Sequence, residues 1–161
     1  MNKLIFLFLS LLSFALHALI GDYKAPVDVK AQTVLIDEPR GFSTYTGNAK
    51  VTKGSLALSA EEIQIFSVKQ VISKIIARGN KQKLAHYKQN QPNQARSVEA
   101  NAQTITYFID KQLVRLEGNA HFVQGFDSFS GGTLSYDIKK DKIVAKKSKN
   151  GTQRVKFKIK L

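Results

Sequence analysis

The stretch Thr46-Gly47-Asn48-Ala49-Lys50-Val51-Thr52-Lys53-Gly54 decides the fold, because an altered copy of it returns later in the chain. The copy is Glu117-Gly118-Asn119-Ala120-His121-Phe122-Val123-Gln124-Gly125, and both of its glycines lie 71 residues after those of the original. Two further pairs of segments share this offset: Ala31-Gln32-Thr33-Val34 with Ala102-Gln103-Thr104-Ile105, and Ala60-Glu61-Glu62-Ile63 with Gly131-Gly132-Thr133-Leu134. Several landmarks at one offset indicate that the chain is a duplicated unit.

Each unit is built from a shorter pattern, in which a small residue precedes apolar residues at every second position. The clearest examples are Ala31-x-x-Val34-x-Ile36, Ala60-x-x-Ile63-x-Ile65, Ala102-x-x-Ile105-x-Tyr107 and Gly131-x-x-Leu134-x-Tyr136. Alternation with period two places those side chains on one face of a β-strand. Gly-Asn pairs at 47–48, 79–80 and 118–119 separate such runs, where a bend needs residues that tolerate positive φ. Such units bury their apolar faces only by stacking or rolling up together.

The length and the turn signals predict a single all-β domain. At about 8–12 residues for each strand and turn, roughly 12–16 strands are expected, and they fit a sandwich, a jelly roll or an elongated antiparallel roll. The polar segment Lys88–Gln94 contains a proline and lacks periodicity, so it is predicted to be an exposed loop between the two copies. A linker between two domains is the alternative, although neither half is long enough for an independent core.

The first residues have the features of a secretory signal peptide. A basic start at Lys3 precedes an apolar run from Leu4 to Leu16, which is shorter than the roughly 20 residues of a membrane-spanning helix. The small residue Ala18 suits a cleavage position. We therefore predict a signal peptide at residues 1–18 and one β-domain at residues 19–161, with an uncleaved membrane anchor as the alternative.

The composition is strongly basic, with 25 Lys and Arg against 12 Asp and Glu and a formal net charge of +13. A net charge of this size attracts anionic partners such as phosphorylated lipid, a membrane surface or nucleic acid. The predicted export signal makes nucleic acid the least suitable of the three. The chain has no cysteine, so no disulfide framework supports the fold, although an oxidising compartment is permitted.

The sequence contains no pattern typical of a catalytic or metal site. His86 and His121 are the histidines that follow the signal peptide, and neither has a companion at metal-binding spacing or a G-x-S-x-G elbow. Glu61 and Glu62 are adjacent, so on a strand they point to opposite faces and do not converge on one bond. We predict no enzymatic activity, no metal and no cofactor.

The aromatic residues are the remaining candidates for a binding function. Aromatic residues interleaved with lysines are typical of platforms for single-stranded nucleic acid. Here the aromatic residues occur within aliphatic alternation, which favours the lining of a core or groove.

The ordered set of motifs resembles the OstA-like family of periplasmic lipopolysaccharide transport proteins. In the first half the resemblance is carried by Pro26-Val27-x-Val29-x-Ala31, Tyr45-Thr46-Gly47-Asn48-Ala49-x-Val51-x-x-Gly54 and Ala60-Glu61-Glu62-Ile63. In the second half it is carried by Leu116-Glu117-Gly118-Asn119-Ala120 and Gly132-Thr133-Leu134-Ser135-Tyr136. The chain departs from better-known members in its high positive charge and in ending with a basic amphipathic strand.

The resemblance implies a fold and a function. The fold is a single elongated, twisted, slightly open antiparallel β roll, or β-jellyroll, with an apolar interior. The acyl chains of lipid A would lie in this interior, while the sugars and phosphates of lipopolysaccharide stay outside. The resemblance also implies head-to-tail self-association, an LptC-like inner-membrane partner at the N-terminal edge and an LptD-like outer-membrane partner at the C-terminal edge.

Alternation within the motifs selects candidate residues for the interior and for the edges. The predicted lipid-binding interior consists of Val34, Ile36, Leu56, Leu58, Ile63, Ile65, Ile105, Tyr107, Leu116, Phe122, Leu134, Tyr136 and Ile143. The predicted partner edges are the strands that contain Val27, Val29 and Ala31 at one end and Val155, Phe157 and Ile159 at the other. Unpaired edges suit strand addition and head-to-tail contacts. A one-residue error in register would move a strand's whole share to the opposite face.

Three other functions fit parts of the sequence. A membrane-anchored LptC-like subunit would keep residues 1–18 attached. A self-assembling β scaffold would polymerise through its edges without lipid cargo. A secreted nucleic-acid-binding protein would bind single strands with a steep dependence on salt.

Overall fold

The structure is a computed structural model that describes residues 25–91, 96–148 and 153–159. All of the regular elements in these ranges are β-strands, and none of the described residues forms a helix able to cross a membrane. In chain order the strands are β1 (Val27–Lys30), β2 (Thr33–Asp37), β3 (Phe42–Lys53), β4 (Leu56–Val68), β5 (Val71–Arg78), β6 (Ala85–Asn90), β7 (Ser97–Ala102), β8 (Thr104–Phe108), β9 (Leu113–Gln124), β10 (Asp127–Asp137), β11 (Lys142–Lys146) and β12 (Lys156–Lys158). The predicted signal peptide, residues 1–18, lies outside the described residues.

Four long strands, β3, β4, β9 and β10, each take part in two antiparallel sheets. Sheet I has the order β2-β3-β4-β5-β8-β9-β10-β11. Sheet II has the order β1-β3-β4-β6-β7-β9-β10-β12. The all-β roll expected from the sequence is confirmed. Because β4 and β9 belong to both sheets, the strands β4, β5, β8, β9, β7 and β6 also form a closed ring.

The chain passes between the sheets along one line, which we term the seam. Backbone hydrogen bonds run along it from Gln32 N to Thr46 O (3.1 Å), from Gly79 N to Gln103 O (2.9 Å) and from Gln103 N to Gly118 O (2.8 Å). The strands of both sheets extend away from the seam and end in turns on the opposite side. We term that opposite side, where the turns of sheet I face those of sheet II, the mouth.

The predicted duplication is visible in the strand pairing. The first six strands form one unit and the last six form another, since β1 and β2 pair with β3 as β7 and β8 pair with β9. Likewise β5 and β6 pair with β4 as β11 and β12 pair with β10. The units are joined by the β5–β8 pairing in sheet I and the β6–β7 pairing in sheet II.

Two of the predicted Gly-Asn bends lie where β3 and β9 cross the seam. Gly47 and Asn48 have φ of 85° and 46°, and Gly118 and Asn119 have φ of 78° and 50°. A Cβ atom on Gly47 would collide with the Gln32 side chain, and one on Gly118 would collide with Gln103 in the same way. Glycine is therefore required here both for its backbone conformation and for the close approach of the neighbouring strand.

The same expectation is wrong for the third pair, Gly79 and Asn80, because neither residue has positive φ. Instead the Asn80 Oδ1 atom accepts hydrogen bonds from the backbone N–H groups of Gln82 (2.9 Å) and Lys83 (2.7 Å). This pair holds the β5–β6 connection through a side-chain turn.

Substitution of Gly118 by alanine is expected to destabilise the fold by more than the conformational cost alone. Left-handed backbone costs a non-glycine residue roughly 1–2 kcal/mol, and at Gly118 the added Cβ must also displace the Gln103 side chain. Gly125 is a matched control, since it has φ of 59° and nothing within 4 Å of an added Cβ. Urea unfolding should show a larger loss for Gly118→Ala than for Gly125→Ala; equal losses would show that the contact with Gln103 is unimportant.

The sequence prediction failed for part of the central polar segment. Residues 85–90 form β6 and not a loop, with Tyr87 fully buried and Gln89 only 7% exposed. The Tyr87 hydroxyl donates to Gln89 Oε1 (2.5 Å), so hydrogen bonding permits burial of a polar residue at an inward position. Residues 92–95 lie outside the described residues.

Candidate functional site

The two sheets face each other with an apolar inner face, and pairing register shows which residues form it. In sheet I one row of paired residues runs through Ile63, Ala77, Ile105, Leu116 and Leu134. The next inner row, closer to the mouth, runs through Ile65, Ile75, Tyr107, Val114 and Tyr136. Side chains of directly paired residues lie on the same face of a sheet, so both rows point towards sheet II.

Sheet II presents a corresponding row. Leu58 pairs with Val51 and Tyr87, while Phe122 pairs with Ala100 and Phe129. Nearer the seam the inward residues are small and buried: Ala49, Ala60, Ala85, Ala102 and Ala120. Small side chains allow the sheets to converge at the seam, whereas the larger ones hold them apart towards the mouth.

The predicted interior residues are placed on this inner face, but their burial differs along the roll. Those in the middle are buried: Leu56, Leu58, Ile63, Ile65, Ile105, Tyr107, Leu116, Phe122, Leu134 and Tyr136. Ile143, on β11, is half-buried. Val34 and Ile36, on β2, are 53% and 63% exposed, so the expectation that they are enclosed is wrong. They lie on the terminal strand of sheet I, beyond which no further strand is formed by the described residues.

Side chains fill the middle of the interior in this structure. The rings of Tyr87 and Tyr107 meet edge-on from opposite sheets at 6.4 Å between centroids, and those of Phe122 and Tyr136 lie 4.9 Å apart. Alternation missed Tyr87 because it lies outside the alternating apolar runs, next to the segment Lys88–Gln94 that was interpreted as a loop. Alternation also missed Ile75, because its neighbour Ile76 is apolar as well and the pattern does not show which of the two points inward. A ligand enters the middle of the interior only if the sheets move apart.

A polar cluster bridges the mouth in the second unit. Asp141, in the turn after β10, accepts hydrogen bonds at Oδ1 from Gln91 Nε2 (2.8 Å), Gln124 Nε2 (2.9 Å) and the Tyr136 hydroxyl (3.1 Å). Gln91 Nε2 also donates to the Tyr136 hydroxyl (3.1 Å). Gln91 directly follows β6 and Gln124 ends β9 on the side of sheet II, whereas Tyr136 and Asp141 lie on the side of sheet I. We term these four residues the latch.

Burial and the nearby carboxylate keep the latch tyrosine in its neutral form. Burial raises the pKa of Tyr136 to about 12, and the charge of Asp141 acts in the same direction. The neutral hydroxyl can accept from Gln91 and donate to Asp141 at once. The first unit has Ile65 and Lys53 at the positions equivalent to Tyr136 and Gln124, so this cluster is specific to the second unit.

The ends of the roll are unpaired strand edges. β1 and β2 each pair with β3 and with no further strand described, and β11 and β12 likewise pair with β10. Of the predicted edge residues, Val27 and Val29 are half-buried on β1, while Ala31 lies just beyond its end. Phe157 is 70% exposed on β12, and Val155 and Ile159 flank this short strand. Of the three predicted residues at this end, only Phe157 therefore lies on a described strand.

The outer faces carry the charged side chains. On sheet II, Lys88 Nζ lies 2.6 Å from Glu99 Oε1 across the β6–β7 pairing, and His86 Nε2 lies 3.9 Å from Glu99 Oε2. The hydrogen bond from Lys88 lowers the pKa of Glu99. Within the described ranges, no group of His, Cys, Asp and Glu side chains could hold a metal ion.

Comparison with protein families and solved structures gives consistent results. Residues 28–142 match the family described as "LptA/(LptD N-terminal domain) LPS transport protein". The chain is 27% identical over 133 residues to the lipopolysaccharide export system protein LptA of Escherichia coli, a match that covers 83% of this chain and 71% of that protein. It is 27% identical over 123 residues to the export system protein LptH of Pseudomonas aeruginosa, covering 76% and 69% respectively.

A crystal structure of LptH from Pseudomonas aeruginosa has the same fold. That protein is described as the LptA-homologous periplasmic component of the lipopolysaccharide transport device. The TM-score is 0.78 at 23% sequence identity, and the superposition covers 87% of this chain and 99% of that one.

Proposed function

Because the chain belongs to the family of LptA and LptD N-terminal-domain lipopolysaccharide transport proteins, we propose that it carries lipopolysaccharide across the periplasm with the acyl chains held between sheets I and II. The observation that carries this proposal is the apolar inner face, which is continuous from β2 to β11. A protein of this family is a transport protein and not an enzyme. The predicted signal peptide agrees with a periplasmic location.

The acyl chains enter through the mouth, because the shared strands prevent separation of the sheets at the seam. Opening breaks the contacts between facing rings and between latch residues. Burial of one methylene contributes about 0.8 kcal/mol, so about ten methylenes contribute roughly 8 kcal/mol. That gain exceeds the cost of a few lost side-chain contacts. The inner-face residues therefore act as a core in the empty protein and as lipid ligands in the loaded one.

The partners include a second copy of the chain, joined head to tail through the edge strands. The duplication supplies a template for this contact. In sheet I, β11 is the counterpart of β5: Ile143 pairs with Tyr136, and Ile75 pairs with Ile65, the residue equivalent to Tyr136 in the first unit. Ile143 therefore corresponds to Ile75. At the other end, β2 is the counterpart of β8: Ile36 pairs with Ser43, and Tyr107 pairs with Val114, the residue equivalent to Ser43 in the second unit. Ile36 therefore corresponds to Tyr107. Since Ile75 pairs with Tyr107 inside the chain, Ile143 of one copy should pair with Ile36 of the next.

Continuation of this register gives the full junction in sheet I. The expected pairs are Lys142–Asp37, Ile143–Ile36, Val144–Leu35, Ala145–Val34 and Lys146–Thr33. The junction explains why Val34, Leu35 and Ile36 are more than half exposed in a single chain. It also brings opposite charges together at Lys142 and Asp37.

The junction in sheet II follows from the β6–β7 pairing. Phe157 of β12 corresponds to Tyr87 of β6, because they pair with the equivalent residues Phe129 and Leu58. Val29 of β1 corresponds to Ala100 of β7, because they pair with the equivalent residues Val51 and Phe122. The expected pairs are Ile159–Val27, Lys158–Asp28, Phe157–Val29 and Lys156–Lys30. The Lys158–Asp28 pair repeats the internal Lys88–Glu99 ion pair. The same edges suit other partners of related fold, with an LptC-like protein at β1 and β2 and an LptD-like protein at β11 and β12.

Site-specific photocrosslinking in cells tests whether lipid occupies the interior. A photoreactive residue at Ile65 or Tyr107, both on the inner face, should form an adduct with lipopolysaccharide. The same residue at Lys88, on the outer face of β6, should not. If neither inner position reacts in folded, exported protein, the chain is a scaffold that assembles through its edges without lipid.

A further inference from the structure

A groove of about 390 Å³ lies at the rim of sheet I where the first unit meets the second, outside the apolar interior. It extends from the β2–β3 turn across the ends of β4, β5 and β8 to the β8–β9 turn. The residues that line it are Arg40, Gly41, Phe66, Ser67, Val68, Ser73, Lys74, Phe108, Asp110 and Lys111. Three of them are cationic and only one is acidic, so the groove has a positive electrostatic potential.

Two aromatic rings form the floor of the groove, and a lysine covers each of them. Lys74 Nζ lies 4.2 Å from the centroid of the Phe66 ring, and Lys111 Nζ lies 5.6 Å from that of Phe108. Arg40 Nε is 3.6 Å from Asp37 Oδ2, but its side chain is 77% exposed. Cationic groups that line a groove beside apolar rings suit a ligand that carries phosphate groups.

The position of the groove relates it directly to the interior. On β4 and β5, Phe66 and Lys74 of the groove are the neighbours in sequence of Ile65 and Ile75 of the inner face. Successive residues of a strand point to opposite faces. A molecule with its apolar part between the sheets and its polar part over the rim of sheet I would therefore meet both sets of side chains.

We propose that this rim groove binds the phosphorylated saccharide of a lipopolysaccharide whose acyl chains occupy the interior. The inference rests on the proposed function and assigns the headgroup to Arg40, Lys74 and Lys111. It places the headgroup at the mouth, on the rim of sheet I where the two units meet.

The test compares glycolipids that share their acyl chains and carry two phosphates, one or none. Because charge-assisted hydrogen bonds to phosphate are strong, the wild-type protein should bind the bisphosphorylated lipid at least about tenfold more tightly than the phosphate-free one. The Lys74→Gln/Lys111→Gln variant should lose most of this preference and keep its affinity for the phosphate-free lipid. The Lys50→Gln/Lys81→Gln variant has the same net charge and alters exposed lysines outside the groove, so it should retain the preference.

The possible results separate this inference from the proposed function. An equal loss of preference in both lysine variants would show that net charge, not the groove, selects phosphate. Equal binding of the lipids by the wild-type protein would overturn the groove and leave the interior as proposed. Absence of binding by any acylated lipid would overturn the interior itself. A phosphorylated disaccharide without acyl chains should compete weakly; if it competes as well as the bisphosphorylated lipid, the groove binds free sugar phosphate and not a lipid headgroup.

Discussion

A covalent link across the mouth between Gln124→Cys and Asp141→Cys is expected to lower the affinity for lipopolysaccharide more than tenfold. Gln124 Nε2 and Asp141 Oδ1 are 2.9 Å apart and belong to different sheets, so a short thiol crosslinker between these positions keeps the mouth closed. The native chain has no cysteine, and the introduced pair is therefore the only target. If the closed mouth prevents burial of only two acyl-chain methylenes, about 1.6 kcal/mol of binding free energy is lost. That loss alone lowers the affinity more than tenfold.

The measurement compares affinity before and after crosslinking, and then after cleavage of a reducible linker. The Lys88→Cys/Glu99→Cys variant is the matched control, because these two residues are direct partners in sheet II and their link does not span the mouth. Its affinity should be unchanged by crosslinking. If the Gln124–Asp141 link also leaves lipid binding intact, acyl chains reach their site without separation of the sheets at the latch.

The latch was not predictable from sequence, whereas the inner face largely was. Alternation shows which side of each strand is apolar, and the strand pairing places Ile63, Ile105 and Leu116 in one inward-facing row. Gln91 and Asp141 are 50 residues apart in the chain, and both are polar residues in or near turns. Nothing local distinguishes them from ordinary solvent-exposed turn residues, so only the packing of the two sheets brings them together.

The errors have related physical causes. β6 was missed because its inward residues include Gln89, whose polar side chain is buried through the hydrogen bond from Tyr87. Alternation shows which side chains of a strand share a face, but it does not show whether the strand lies in the middle or at the end of a sheet. It therefore did not predict the exposure of Val34 and Ile36. The same terminal position that exposes these residues makes them available to a second chain. The edge residues Val27, Val29, Phe157 and Ile159 follow from the apolar alternation, whereas their proposed register with a partner depends on the pairing of β6 with β7.

Opposite effects on self-association are expected from the same charge change at two neighbouring positions of β12. In the proposed junction Lys158 faces Asp28, whereas Lys156 faces Lys30. Lys158→Asp therefore replaces an attractive pair by a repulsive one, and Lys156→Asp does the reverse. Cross-strand charge pairs contribute roughly 0.2–1 kcal/mol each. A change of sign is thus worth about 0.4–2 kcal/mol, or roughly two- to thirtyfold in the association constant.

Sedimentation equilibrium at low ionic strength would measure both effects, since salt screens exposed charges. The two variants have the same composition and net charge, and the altered residues are both exposed on one short strand. A general effect of net charge would move association in the same direction for both, and that result would contradict the register. The double variant Asp28→Lys/Lys158→Asp should recover association, because it restores opposite charges at the pair that the internal β6–β7 pairing predicts. Recovery at this pair, together with strengthening by Lys156→Asp, would establish that the contact between copies repeats the contact between the two halves of the chain.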